Sequence, residues 1–512
     1  MGCQKSEKSF VWISQNWQSV SSKEEKASMG QPNILWICTD QQRFDTLGSY
    51  GNTMVKTPNI DRLAENGVLF ENAFCQATVC TPSRSSFLTG RYPRTTRCRQ
   101  NGQNIPEDEM LVTRLLADAG YVGGLAGKLH ISACNPSVMH GTERRIADGY
   151  SQFHWSHHPE DHWPTNEYIQ WLRAKGKTYQ PVPSEGSRYV EIGPDAEDHQ
   201  TTWCAEMAIQ FIEANQAYEQ PWFFSVNMFD PHHPFNPPRT HLDRYLQKLD
   251  EIPLPNYEEG ELEEKTYFQQ FDHNGAYGNA KLLPFSKMNE QDHRMVKGAY
   301  WAMVDLIDEQ VGRMLEALER TGQLENTIVI FMSDHGELLG DHGVYLKGAF
   351  FYEPSIHVPL IVSWPGHFQS GVRSTQLVEL VDIAPTLMEA AGLRIHPGMQ
   401  GKSLMQLLTA EEGGTETAKP HRTDIYCEHY NASAKQNGIG GFATMVRTGR
   451  YKLVSYHRRH EEELYDLLVD PNETHNLWTD ESYTTVKLDM LKRLCDRMGE
   501  TVDPLPERLA VW

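Results

Sequence analysis

Four apolar runs in this chain break off abruptly into charged or imidazole groups, and this restricts the fold more than any other feature. Asn33–Cys38 (NILWIC) runs into TDQQR, and YVGGLAGK ends at Lys128 with His130 just beyond. Trp222–Met228 opens into FDPHHPF, and Thr327–Met332 into SDHGE. The runs are short, continuous and β-rich, as expected of strands buried on both faces. Polar loops gathered at one end of such strands mark the ligand end of a parallel sheet.

Helical patterns alternate with these runs. Thr57–Gly67 carries Pro58 for a first turn and Asn66-Gly67 for a stop, and the strand VLFENAF follows. Glu107–Gly120 sets Leu111, Leu115 and Leu116 on one helical face, and HQTTWCAEMAIQFIEANQ reads as a further helix. VPLIVSWPG adds a short strand. The alternation predicts an α/β protein with a large mixed, mostly parallel central sheet flanked by helices. Past about residue 400 the character changes. FATMVRTGRYKLVSY predicts a hairpin turning at Thr448-Gly449, and a terminal helix follows EELYDLLVDPNETHNLW. The expected division is a disordered N-terminal tail over 1–30, a main domain over 31–405, and a smaller C-terminal α+β subdomain over 406–512 built on an antiparallel sheet. TAEEGGTETAKP (Thr409–Pro420) reads as an exposed linker.

Composition excludes several classes. A formal net charge of −21 argues against nucleic acid as a partner, though a local basic pocket still admits an anionic substrate. Nine cysteines at irregular spacing, with no CxxC pair, argue against a disulfide scaffold or a thiolate zinc site. One or two bridges stay open. No apolar run nears the roughly 18 residues of a membrane helix, and FVWI at Phe10–Ile13 is too short for a signal-peptide core. The expectation is a chain without signal peptide or membrane span, cytoplasmic by sequence.

The strand-end groups suggest chemistry. Asp40-Gln41, Asp334-His335 and the region of Cys80 offer oxygen and nitrogen donors for a divalent ion. Taken singly, each Asp would equally be a cap. Arg84, Lys128, His130, His232, His233 and Lys347 all stand beside strand ends or Gly/Pro loops, an arrangement suited to an anionic tetrahedral group. Cys80 heads CTPSRSSFLTGRYP, and by its residues alone it is a structural thiol, a metal ligand, a nucleophile or a modification site.

Taken together, these stretches resemble the sulfatase family of the alkaline phosphatase superfamily. Cys80-Thr81-Pro82-Ser83-Arg84 through Thr89-Gly90 matches the signature C-x-P-x-R with its following T-G. PNILWICTDQ, TPNIDRLAENGVLFENAF, GKLH, DPHHPF, SDHGELLGDHG and ELYDLLVDPNETHNL extend the match over residues 31 to 480. The resemblance implies an alkaline phosphatase-like sheet, with 31–405 as the catalytic domain. It implies that a formylglycine-generating or anaerobic sulfatase-maturating enzyme oxidises Cys80 to formylglycine. The hydrate of that aldehyde has one hydroxyl to attack sulfur and a second to eject sulfate.

By motif position, Asp40, Gln41, Asp334 and His335 would hold the metal together with residue 80. Arg84 would steady the formylglycine, and Lys128 and Lys347 would bind sulfate oxygens. His130 would contact the hydrate and take the proton of the release step. His232 would protonate the leaving alcohol, with His233 the competitor, since only one of two adjacent residues points inward from extended backbone. Gln41 and His335 stand where many sulfatases carry Asp and Asn, a pattern closer to choline and iduronate sulfatases and phosphonate monoester hydrolases. Ca2+ leads as the metal, with Mn2+ or Mg2+ as alternatives. The implied function is hydrolysis of a sulfate ester, on a sulfated carbohydrate. The alternatives are a phosphonate or phosphate ester hydrolase using the same site, and a non-catalytic sulfated-glycan binder. Rim candidates are Asn101, Trp155, Trp163, His233 and His342, with Arg97, Arg99, His154, Arg447 and His457 behind them; Trp155 and Trp163 would wall a sugar ring.

Overall fold

The structure, a computed structural model, describes residues 31–409, 419–430, 441–508 and 510. The expected tail, and the expected linker apart from Thr409, Lys419 and Pro420, lie outside the described residues. The main sheet contains β1 (Asn33–Thr39), β2 (Val68–Phe74), β3 (Val122–Gly127), β4 (Gln152–Trp155), β5 (Trp222–Asn227), β6 (Thr327–Ser333), β7 (Leu360–Ser363) and β8 (Val372–Glu379). Their order is β8-β2-β7-β6-β1-β5-β3-β4. Only β7 runs against its neighbours, so the sheet is mixed and mostly parallel.

The register sets the site. Cys38 pairs with both Met332 and Asn227, and Thr39 with Ser333, so β1, β5 and β6 end level. The following loops are laced together where the ladder stops: Asp40 N–H donates to Asp230 O at 3.2 Å, and Asp334 N–H to Thr39 O at 3.2 Å. Level parallel strands thereby deliver Asp40, Asp334 and the Asp230 loop to one place. β3 adds Lys128, because Gly127 pairs with Asn227.

The helices flanking the main sheet include α1 (Pro58–Glu65), α2 (Cys80–Thr89), α3 (Val112–Asp118), α4 (Gln200–Asn215) and α5 (Glu290–Arg320), while α6 (Thr484–Glu500) closes the described helices of the C-terminal part. Two differ from expectation. The helix expected from Glu107 begins only at Val112, because Pro106–Glu109 closes a turn and Leu111 stays extended as the N-cap. The 31-residue α5 was not anticipated at all. It is buried over most of its circumference between Val296 and Val311, so it lacks the clean polar stripe that signals a surface helix. A capping box between Asn289 and Asp292 starts it.

After the main sheet, β9 (Asp424–Tyr430), β10 (Phe442–Thr448), β11 (Tyr451–Tyr456) and β12 (Glu461–Asp466) form an antiparallel sheet in sequential order, with α6 against it. The β10–β11 loop is Gly449-Arg450, one residue later than expected. Ile425, Cys427, Met445 and Val454 share a core with Phe70, Phe74 and Val358, so the second sheet is packed onto the first. No described helix is long and apolar enough to cross a membrane.

Gly127 is a tight point of this frame. Its φ is +104°, and a Cβ would stand 1.9 Å from Asn227 O, the carbonyl that accepts the Lys128 N–H at 2.9 Å. Gly127→Ala is therefore expected to lower stability by about 2 kcal/mol or more in a chemical denaturation experiment.

Candidate active site

Cys80 is the first residue of α2, a helix in which every residue is buried. The helix has no cap from its own chain start; instead Asn101 Oδ1 accepts the Thr81 N–H at 3.0 Å. Gly90, with φ +68°, closes the other end. The positive end of the helix faces the strand-end loops, so a negative charge at residue 80 is favoured there. Burial and Asp40 push the Cys80 thiol up, but Lys128, Lys347 and His335 outweigh them and hold it below its ordinary range.

Around its sulfur the donors converge. Single ligand atoms of Asp40, Cys80, Asp334 and His335 all lie within 4.8 Å of one another, and all four residues are buried. Cys80 Sγ is 3.6 Å from Asp40 Oδ1 and 3.1 Å from His335 Nε2. His335 Nδ1 sits 2.9 Å from Gly336 O, so it donates there and leaves Nε2 free as a ligand. The Arg84 guanidinium bridges the carboxylates, with Nε 2.8 Å from Asp334 and an Nη 3.1 Å from Asp40. Its other Nη donates to Lys128 O at 2.8 Å. Despite burial, Lys128, His232, Lys347 and Arg84 hold the Asp40 carboxyl well below the usual carboxylate range.

Gln41 joins this group through Glu337, the last residue of SDHGE and not among the sequence candidates. Gln41 adopts φ +68°, its N–H donates to Asp334 Oδ1 at 3.0 Å, and its amide nitrogen donates to the Glu337 carboxylate. Glu337 is itself fixed by the Leu339 and Leu346 N–H groups. With the nitrogen engaged, Gln41 Oε1 is the atom turned toward the cluster, where Lys347 Nζ meets it at 2.6 Å. Two carboxylates, an amide oxygen and one imidazole form an oxygen-rich set suited to Ca2+, Mg2+ or Mn2+.

The basic groups complete the surround. Lys347 Nζ is 2.9 Å from Cys80 Sγ, while Lys128 Nζ is 3.9 Å from that sulfur and 2.7 Å from Asp40. His130 Nε2 is 3.0 Å from Thr81 Oγ1 rather than on residue 80, and its Nδ1 is buried without a partner. His232 donates from Nδ1 to His233 O at 2.5 Å, which leaves Nε2 available. The restriction that only one of His232 and His233 turns inward holds only for extended backbone. Their segment is a turn, not a strand, and the rings stack at 4.1 Å. Both titrate well below an ordinary histidine, through burial first and then Lys347. Burial, with Lys128 and Arg84, does the same to His130.

The rim candidates fare differently. Trp155 and Trp163 are only 1% and 2% exposed, and their indole N–H groups donate inward to Glu143 and to Met139 O. They cannot wall a sugar ring. His342 is buried too, bonded to Glu261 and stacked on Tyr352. Arg447 is spent on Glu353, and the exposed Arg97 on Asp108 and Glu109. His154 pairs with Glu167 and His457 with Thr444, while Arg99 lies over the Tyr430 ring. Half-buried Asn101 stays beside the site as the cap of α2. His157, His158 and Tyr277, none of them singled out from the sequence, lie in the ring system that continues from His130, His232 and His233.

A donor cluster at the carboxyl ends of a mostly parallel sheet, faced by a buried helix N-terminus and two lysines, is suited to a divalent ion and an anionic group. The chain belongs to the sulfatase family: the sulfatase model matches residues 32–393. A second model, the N-sulphoglucosamine sulphohydrolase C-terminal region, matches residues 340–500. An arylsulfatase of Clostridium perfringens is 29% identical over 491 residues, spanning 91% of this chain and 93% of the relative. An N-acetylglucosamine-6-O-sulfatase of Bacteroides thetaiotaomicron is 25% identical, spanning 94% of this chain and 89% of the relative. The phosphonate monoester hydrolase of Silicibacter pomeroyi superposes with a TM-score of 0.79 at 22% identity, covering 92% of this chain and 96% of that one, which establishes the shared fold. The chain is thus an enzyme of the class that hydrolyses sulfate esters.

If the cluster holds a divalent ion, the ion must stabilise the fold. Ca2+ at about 100 times its Kd is expected to add about 2.7 kcal/mol, read as a rise in Tm. Asp334→Asn should abolish that rise.

Proposed function

We propose that this enzyme hydrolyses a sulfate ester on a sulfated carbohydrate, using residue 80 as formylglycine and a divalent ion held by Asp40, Gln41, Asp334 and His335. The observation that carries this reading is the set around Cys80: a buried sulfur at a helix N-terminus, within 3.1 Å of both Lys347 Nζ and His335 Nε2. An isolated structural thiol has no need of such neighbours. Ca2+ leads on donor chemistry, and the ion would supply positive charge to a sulfate oxygen and to the oxygen of residue 80. Formylglycine, made from Cys80 by a formylglycine-generating or anaerobic sulfatase-maturating enzyme, would supply two hydroxyls on one carbon, one to attack sulfur and one to release sulfate.

The chain's own groups do the remaining work. Lys128 and Lys347 bind sulfate oxygens and offset charge that grows there. Arg84 holds the two carboxylates apart and in place. His232 gives a proton from Nε2 to the leaving oxygen, since Nδ1 is held by His233 O. His130, beside Thr81, takes the proton of the release step. A saccharide substrate draws support from the likeness to the N-acetylglucosamine-6-O-sulfatase. Residues 31–405 are taken as the catalytic domain and 406–512 as the smaller subdomain.

The likeness in fold to a phosphonate monoester hydrolase motivates one other reading, hydrolysis of phosphonate or phosphate esters. Paired assays decide. On the sulfatase reading, 4-nitrophenyl sulfate exceeds phenyl phosphonate in kcat/KM by about tenfold or more. The reverse ratio assigns the second reading. Peptide mass spectrometry of protein made with a maturating enzyme is expected to find formylglycine at position 80, and thiol alone would refute the mechanism.

The pH dependence has a definite sign. His232 must be protonated to act, and burial keeps its pKa well below that of an ordinary histidine. For a sulfate of a poor leaving group such as a sugar alcohol, kcat/KM should therefore fall as pH rises above that lowered pKa. His232→Ala should cost about 10²–10⁴-fold on that substrate and much less on 4-nitrophenyl sulfate, whose leaving group needs no proton.

A further inference from the structure

The exposure of the proposed catalytic groups runs in one direction. Asp40, Gln41, Asp334 and His335 are 0% exposed, Cys80 and Lys128 1%, Lys347 3%, and His130 and His232 7%. The approach to residue 80 is therefore on the imidazole side. Following that direction, the His232 ring faces the His158 ring at 6.5 Å, and both pack on Phe229, at 4.7 and 4.9 Å. His158 and Glu160 are half-buried and His162 is exposed, so this tier stands between the site and solvent.

The tier is built, not loose. Buried Asn166 donates its amide to the carbonyls of both His158 and Glu160, at 2.7 and 3.2 Å. Trp163 backs it, 6.0 Å from the His158 ring and 5.7 Å from that of His162. Glu160 Oε2 lies 2.6 Å from His162 Nε2 and 3.8 Å from His158 Nδ1. A carboxylate between two imidazoles offers hydrogen-bond donors and acceptors together on a rigid support. That matches hydroxyl groups, which both donate and accept. A quaternary ammonium has no use for the donors.

We infer that His158, Glu160 and His162 form the subsite for the leaving group and take the hydroxyls of a saccharide ring beside the sulfated carbon. This rests on the sulfatase reading above. It replaces the wall of Trp155 and Trp163 expected from the same segment: the indoles turn inward as the support, and the imidazole–carboxylate tier turns outward.

The test is the selectivity of variants matured like the wild type. kcat/KM is measured on a panel of regiodefined sulfated monosaccharides and disaccharides, on choline sulfate and on 4-nitrophenyl sulfate, which lacks hydroxyls to recognise. In Glu160→Gln the ratio of saccharide to aryl kcat/KM is expected to fall about tenfold or more, mostly through KM. His162→Ala, at an exposed position with little bearing on folding, should lower it in the same direction, and Tm is followed for both. Equal losses on saccharide and aryl sulfates, or an unchanged ratio, would overturn the inference. So would a loss confined to choline sulfate. A wild type that splits 4-nitrophenyl sulfate but no saccharide on the panel overturns the inference alone, whereas one that splits no sulfate ester removes the proposed function with it.

Discussion

The buried fork of Arg84 between Asp40 and Asp334 is the interaction on which the site depends. Level strands bring two fully buried carboxylates to one spot. Like charges in such a place would drive one carboxyl to hold its proton. Arg84 is planar, permanently charged and bidentate, so it can face both at once, at 2.8 and 3.1 Å, and still bond Lys128 O. Its position four residues into α2 ties that charge balance to the orientation of Cys80. A lysine could neutralise one carboxylate but could not hold this geometry.

Around that fork, second contacts decide which atoms face inward. Gly336 O selects the nitrogen of His335 that stays free, and Glu337 selects the oxygen of Gln41. Asn101 satisfies a backbone donor at the head of α2 that no residue of its own chain start reaches. Each is a local hydrogen bond with a steric reason, and together they leave the donor set little freedom to rearrange. The sheet supplies the rest, because β1, β5 and β6 end level and their loops are laced where the ladder stops.

Six of the eight main strands were readable as apolar runs, whereas the two edge strands β4 and β8 were not, because they are exposed over part of their length. α5 was not, since a helix buried nearly all round shows no stripe. The start of α3 was misjudged because leucines at helical spacing do not reveal that the turn after Pro106 delays the helix. In the site, Asp40, Lys128, Asp334 and His335 were legible because they lie within a few residues of strand ends, and the fold gathers them near the Cys80 sulfur. Glu337 stood in plain view in SDHGE, three residues after Asp334. Nothing in the pattern says that its partner is Gln41, whose side chain comes from another strand end.

The sequence by itself determined the sheet class, the chemistry at each strand end and the motif around Cys80, because these depend on a few adjacent residues. Only the tertiary structure decided which way the polar segment SQFHWSHHPEDHWP faces. Its tryptophans have the larger apolar area to bury, and each indole N–H finds an internal acceptor in Glu143 or Met139 O, so packing draws them in. His158, His162 and Glu160, more costly to desolvate unpaired, are left toward the opening, although His157 beside them is buried. Whether a residue is wall or support follows from that competition for the interior, and no spacing along the chain records its outcome.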